Sequence, residues 1–230
     1  MIKEKLSIIL ALILLVVSTS KGHPCINNFH PQPNYEIKDT KHLEKATEIG
    51  TDPTSPIRFE FSLNGYQYVV TKNGMGKRIK GTSDVHSFRL RLDRGYEVVH
   101  IFYAGHESDL LLVCEISDGE TGAGFITSLD QQTLRAKWWR WIPSFNVGQG
   151  LIEEDYAYLI ASGFIAKFDL NRGVYVWQHN KLYLGGTFPD FELPELSGDT
   201  VLFKETTDYK PPVKTITVNK LSGKILSISK

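Results

Sequence analysis

The densest chemistry-bearing run in the chain is Lys137-Trp138-Trp139-Arg140-Trp141. In a strand, alternate side chains share a face, so Trp139 and Trp141 fall together while Trp138 and Arg140 fall on the other side. Paired indoles flanked by Lys137 and Arg140 suit a protein-interface anchor or a platform for a sugar ring. The same rings suit plain core packing. A second candidate is the loop Phe188-Pro189-Asp190-Phe191-Glu192-Leu193-Pro194-Glu195, which is apolar, aromatic and acidic at once. Loops of this kind often carry binding, although Pro189 and Pro194 also suit a rigid connector. The candidate binding residues are therefore Trp139, Arg140, Trp141, Phe188, Asp190, Phe191, Glu192 and Glu195.

Other chemistry is thin. Glu192 or Glu195 would supply the acid of a glycosidase, but such an enzyme needs two carboxylates held across a cleft, which spacing along the chain does not show. His86, His100, His106 and His179 are scattered, without His-x-His or His-Glu-x-x-His, and there is no Cys-x-x-Cys, so no metal site is expected. Gly74-Met75-Gly76-Lys77 lacks the full spacing of a phosphate loop and the helix that follows one. Lys72, Lys77, Arg78, Lys80, Arg89, Arg91 and Arg94 read as a solvated face or a surface for an acidic partner.

The elements that must hold these residues come from a chain of 230 residues with 26 basic and 26 acidic side chains. At 41% apolar and 23% charged, it is neither disordered nor a polytopic membrane protein. A formal net charge of zero removes the electrostatic argument for nucleic acid. Lys3 and Lys5, the apolar run Leu6–Val17 and the small residues Ser18, Thr19, Ser20 and Gly22 form the three-part pattern of a secretory leader over residues 1–22. That run is short for a bilayer span of about 20 residues. A periplasmic or secreted protein without a membrane span after cleavage is expected. An even pair of cysteines, Cys25 and Cys114, then forms one disulfide or leaves Cys114 as a buried thiol.

Residues 23–56, punctuated by Pro24, Pro31, Pro33, Pro53 and Pro56, read as an extended arm, with one helical turn over 40–49. From residue 57 the signals are strands: Phe59/Phe61/Leu63, Tyr66/Tyr68/Val70, 98–103, 110–114, 156–160 and 215–218. Turn dipeptides separate them, namely Asn64-Gly65, Asn73-Gly74, Asp118-Gly119, Arg172-Gly173 and Ser222-Gly223. The fold class is all-β.

A repeat runs through this region. Asp169 is followed four residues on by Gly173 and eight on by Trp177; Asp130 stands eight before Trp138, with Leu134 in the Gly position; Asn219 stands four before Gly223, with Ser227 in the Trp position. A fainter copy places Arg91, Gly95 and Val99 at the same offsets. Asp or Asn starts a turn through its own backbone, Gly takes the left-handed conformation, and the Trp brings a large ring back over a neighbouring sheet. An apolar strand led by Asp109, Asp155 or Asp199 is expected to open each repeat.

The pattern resembles the quinoprotein-type repeat of β-propellers, over roughly residues 60–230. The resemblance implies a small or partial propeller of about four four-stranded repeats, with Asp130, Trp138, Asp169, Gly173, Trp177 and Gly223 as structural positions. Quinone-dependent dehydrogenases of that family need far more chain and a ring-stacking cysteine pair that this sequence lacks, so the resemblance implies scaffold only and no cofactor. The expected function is an exported, non-enzymatic protein-binding propeller with a protein partner, in envelope assembly or as an immunity or inhibitor-type protein. The alternatives are a small carbohydrate-active or ester hydrolase using Trp139/Trp141 as platform, and a structural subunit whose ring is completed by a partner's blades.

Overall fold

The computed structural model describes residues 39–49, 57–81, 84–182, 184, 188–206 and 213–229, all within one compact unit spanning Ile37–Lys230. The leader over 1–22 and Cys25 lie outside the described residues. Among the described residues every regular element is a strand. Three short strands come first: β1 (Thr40–His42), β2 (Glu44–Lys45) and β3 (Thr47–Glu48). Blade 1 is β4 (Ile57–Leu63), β5 (Tyr66–Thr71), β6 (Met75–Lys80) and β7 (Asp84–Arg89). Blade 2 is β8 (Glu97–His106), β9 (Asp109–Ser117), β10 (Gly122–Asp130) and β11 (Ala136–Ile142). Blade 3 is β12 (Leu151–Glu153), β13 (Tyr156–Ala161), β14 (Phe164–Asp169) and β15 (Val174–His179). Blade 4 is β16 (Glu195–Ser197), β17 (Thr200–Lys204), β18 (Thr215–Asn219) and β19 (Ile225–Ser229). Each blade is an antiparallel meander, and the four form the partial propeller that the repeat implies.

Burial follows position in the row. β9, β10, β13 and β14 are buried along nearly their whole length, because blades 2 and 3 have a neighbour on each face. Their side chains divide by the two-residue period of a strand: Leu112, Cys114 and Ile116 enter the core shared with blade 1, and Leu111 and Val113 the core shared with blade 3. A third core joins blade 3 to blade 4 through Tyr158, Ile160, Trp177, Val201, Phe203, Ile216 and Val218. Blades 1 and 4 alternate instead. Val201 and Phe203 point inward while Thr200, Leu202 and Lys204 point away. The outward face of blade 4 adds Thr215, Thr217, Asn219, Ser227 and Ser229, a hydroxyl-rich surface suited to water.

The repeat expresses itself as one device used between blades. In the turn after β10, Asp130 accepts hydrogen bonds from the backbone N–H of Gln132 (3.1 Å) and Thr133 (2.7 Å). Asp169 accepts from Arg172 N–H (2.8 Å) and Asn219 from Ser222 N–H (2.9 Å). Just before each turn the ladder slips by one residue, at Ser128/Leu129, Lys167/Phe168 and Thr217/Val218. The indole of Trp138 then lies on Gly173 of the next blade, and its N–H donates to Leu170 O (3.1 Å). The indole of Trp177 lies on Gly223, and its N–H donates to Lys220 O (3.0 Å). Gly173 and Gly223 have φ of 64° and 71°, and a Cβ on either would fall 2.4 or 2.5 Å from the indole. Both the conformation and the contact therefore require glycine.

Three expectations are corrected here. The faint copy at Arg91, Gly95 and Val99 straddles the connection from β7 to β8, since the third and fourth strands of blade 1 are β6 and β7. Blade 1 docks differently: Arg78 of β6 donates to Gln131 O, the acceptor equivalent to Leu170 O and Lys220 O. Leu134, at φ 55°, fills the Gly position and buries its own side chain in the core between blades 1 and 2. Arg78 is accordingly only 4% exposed rather than on a wet face. Asp109, Asp155 and Asp199 likewise lead the second strand of their blades, next to the first hairpin turn, and do not open the repeats.

The helical turn expected over 40–49 is also overturned, because this segment is the missing partner of three sheet edges. β1 pairs with β12, β2 with β8 and β3 with β4, all antiparallel, so a single extended segment crosses the first strands of blades 3, 2 and 1 in turn. Unpaired edges of that kind leave backbone N–H and C=O groups unsatisfied. Between the pairs, Leu43 (0% exposed) plugs the core of blades 2 and 3, and Ala46 plugs that of blades 1 and 2. Their N–H groups donate to Gly150 O (3.1 Å) and Ile101 O (2.9 Å). Tyr103 O–H donates to Glu44 (2.6 Å), and burial together with that carboxylate pushes its phenol up to about 12.

Two stability outcomes follow from these contacts. Leu43→Ala empties a fully enclosed site and is expected to cost about 2–5 kcal/mol, read as the shift in a urea unfolding midpoint. A cost below about 1 kcal/mol would show that the crossing segment is not part of the cooperative fold. Gly173→Ala is expected to lose about 2–4 kcal/mol from the strained φ and the clash with Trp138. Gly198→Ala, at φ 53° but with nothing within 4 Å of its Cβ, should lose only about 1 kcal/mol. Equal losses would remove the indole contact from the account.

Candidate functional site

The blades have two ends. The Asp and Asn turns lie at one, the turn end. At the other, the loop end, lie the connections β11–β12, β13–β14 and β15–β16. The candidate loop 188–195 is at the loop end and is laced to its neighbours. Gly163 N–H donates to Pro189 O (2.7 Å), Ser162 N–H to Phe145 O (2.8 Å) and Glu192 N–H to Lys204 O (2.8 Å). Asn146 donates through its backbone N–H to the buried Glu115 carboxylate (3.0 Å) and through its side chain to Asp190 (3.3 Å). Phe191 is buried against Phe203, with ring centroids 6.2 Å apart. Glu192 pairs with Lys204 at 3.0 Å, and Glu195 is exposed at the start of β16.

This frame holds two rings at the surface: Phe145 is 44% exposed and Phe188 42%. A Cβ on Gly122 would lie 2.8 Å from Phe145 Cβ, and one on Gly163 2.7 Å from Phe188 Cδ1, so both residues rest on bare backbone. Asp118, Glu120 and Asp190 belong to the same end. The Asp118 carboxylate is held below its ordinary range by the N–H groups of Thr121 and Glu120. Phe145 is absent from the candidates read from sequence. The isolated aromatic in the turn-rich run Pro143-Ser144-Phe145-Asn146 is the signal that finds it.

The tryptophan run divides as alternation requires. Trp139 and Trp141 pack against the core of blades 1 and 2, and Trp138 against that of blades 2 and 3. Trp139 and Trp141 are 5.7 Å apart with their planes at 42°, and the Arg91 guanidinium lies 5.1 Å over the Trp139 ring. That ring is thus covered by the chain's own cation, and its plane is not shared with Trp141, which leaves no flat paired platform for a sugar. The structure does not join these rings to Glu192 or Glu195, which lie in another blade. Cys114 is wholly buried in β9 without a disulfide partner among the described residues, and that burial pushes its thiol up. Its candidate partner Cys25 lies outside the described residues.

Arg140 emerges at the turn end with different company. A cleft of about 590 Å³ between blades 2 and 3 is lined by Glu107, Asp109, Lys137, Trp138, Arg140, Leu170, Asn171 and Arg172. Asp109 accepts from Ser128 Oγ (2.7 Å) and pairs with Lys137 at 2.5 Å. The Asp109 bond, with further attraction from Asp130 and Glu107, holds the Lys137 ammonium above its ordinary value. Among the described residues there is no group of three or more His, Cys, Asp or Glu placed to hold a metal ion, and no helix long and apolar enough to cross a membrane.

No family model and no curated protein matches the chain. Solved structures similar to it include a quinohemoprotein alcohol dehydrogenase from Pseudomonas putida, at 14% identity and a TM-score of 0.49, over 75% of this chain and 34% of that one. A europium-containing methanol dehydrogenase is similar at 11% and 0.49, over 76% and 42%. BamB from Moraxella catarrhalis is similar at 12% and 0.37, over 72% and 61%. The chain thus spans less than two thirds of the length of each of these structures, and the likeness is one of fold.

The turn beside the cleft generates a pH-dependent outcome. The Thr133 N–H and hydroxyl, then the Gln132 N–H and Lys137, hold the Asp130 carboxylate below its ordinary 3.8. Its contribution is therefore complete above 3.8 and is lost as pH falls through the lower folded value. Asp130→Asn keeps the turn, as Asn219 does in blade 4, but does not titrate. The stability advantage of the parent over this variant, measured by urea unfolding, should shrink as pH falls below 3.8. An advantage independent of pH would mean that ionisation contributes nothing to the turn.

Proposed function

We propose that this is an exported protein-binding propeller that docks a polypeptide on its loop end, in an envelope-assembly or inhibitor role. Export rests on the tripartite leader of residues 1–22. The observation that carries the docking is the pair Phe145 and Phe188, exposed yet held on laced backbone. Aromatic rings that need little further ordering are the usual energetic centre of a protein interface. The acidic groups around them, Asp118, Glu120 and Asp190, favour a partner segment that carries lysine or arginine beside an apolar anchor. The neutral overall charge agrees with a partner other than nucleic acid.

A photoreactive amino acid placed at 145 or 188 in the native host tests this. The expected result is one discrete adduct with the same polypeptide from both positions, and none from position 87 on the outer face of blade 1. The double variant Phe145→Ser/Phe188→Ser should weaken binding of that polypeptide by about 30-fold or more while the unfolding midpoint moves little, since both rings are nearly half exposed. Absence of an adduct at both positions, or the same adducts at 87, overturns the docking surface.

A further inference from the structure

The cleft at the turn end is remote from the Phe145/Phe188 surface and is not used by it. We propose that it is a binding site for a singly charged carboxylate, on a small molecule or at a peptide terminus. Three observations meet there. The first is concavity: about 590 Å³ bounded by two blades, room for a small molecule or a short peptide terminus. The second is the wall. Trp138 is fixed by its contact with Gly173, its bond to Leu170 O and its packing 5.1 Å from the Phe168 ring, so it gives a mainly polar lining one rigid boundary whose indole reports on the cleft. The third is charge. The cleft carries Lys137, Arg140 and Arg172 against Glu107 and Asp109, so one positive charge is left over.

The distribution of that charge matters more than its sum. Lys137 is engaged by Asp109 at 2.5 Å, and Asp109 is further held by Ser128. Arg140 donates to the Trp139 carbonyl (2.8 Å), and Arg172 is exposed at the tip of the β14–β15 turn, its backbone N–H fixed by Asp169. Among the described residues neither guanidinium forms an ion pair with a carboxylate. Two guanidinium groups thus line the cleft without a carboxylate partner, and each has donors suited to a carboxylate. A net excess of one favours a monoanion over a phosphate dianion, which the Glu107 and Asp109 side would repel.

The test follows the Trp138 indole N–H signal in a proton–nitrogen correlation spectrum of the isotope-labelled protein, identified by its loss in Trp138→Phe. N-acetyl-phenylalanine, its carboxamide and phenyl phosphate are the probes. The expected result is a saturable shift with the acid, at least about tenfold weaker binding of the amide, and phenyl phosphate no tighter than the acid. Arg172→Gln, a change at an exposed turn, should weaken the acid about tenfold with an unchanged unfolding midpoint. Arg140→Gln should do the same. Equal binding of acid and amide, no saturable shift with the acid, or an unaltered affinity in Arg172→Gln overturns the site. Tighter binding of phenyl phosphate overturns the carboxylate assignment. None of these outcomes depends on whether the loop end docks a protein.

Discussion

The stacking of an indole on the turn of the next blade is the interaction on which the rest of the structure depends. A four-stranded blade cannot bury both of its faces alone. Trp138 and Trp177 solve this at the outer rim, each covering the glycine of the next blade and bonding the carbonyl after its turn residue. Because the same carbonyl is used at every junction, the spacing between blades is set by the turn backbone and not by the identity of the core side chains. The junction between blades 1 and 2 shows the point. The indole is absent, yet Arg78 still reaches the equivalent carbonyl, that of Gln131.

The imperfections of the repeat then have places. Ser227 stands where a tryptophan would, on the face of blade 4 that meets no further blade among the described residues, and the neighbouring outward positions are, Leu202 apart, Thr, Ser, Asn and Lys. The turn of blade 1 lacks both the Asp and the matching Gly, and among the described residues no preceding blade would stack on it. What reads along the sequence as decay is the specification of two end faces. Terminal repeats of stacked proteins differ from inner ones for this reason: their outer faces must be compatible with water.

How much could be read in advance followed the range of each interaction. Asp130, Asp169, Gly173 and Gly223 act within a few residues of their own turns, so spacing exposed them; Trp138 and Trp177 came with them because the bulge before each turn fixes the offset. Arg78 looked like a wet strand residue because alternation reports a face and not what that face meets. The segment 40–48 looked helical or featureless because its rhythm of two paired residues and one plug matches neither strand nor helix, and its partners lie far along the chain. The cleft around Arg140 draws its walls from several elements in two blades, a proximity that only the stacked structure provides. The aromatic loop 188–195 was legible as unusual, but the division of labour within it was not: Phe191 serves the core and Phe188 the surface.

The crossing segment has a consequence for biosynthesis. The first described strand is fastened late relative to its synthesis, because Thr40 must wait for Glu153 to emerge before its ladder can form. Until then Leu43, whose core includes residues of blade 3, is an exposed apolar residue beside a free strand that any neighbouring nascent chain could pair. Maturation of this molecule is therefore a closure reaction between distant parts of the polypeptide, slow by its topology. A helper that shields strand edges would be useful during that interval, well before the finished protein meets any partner.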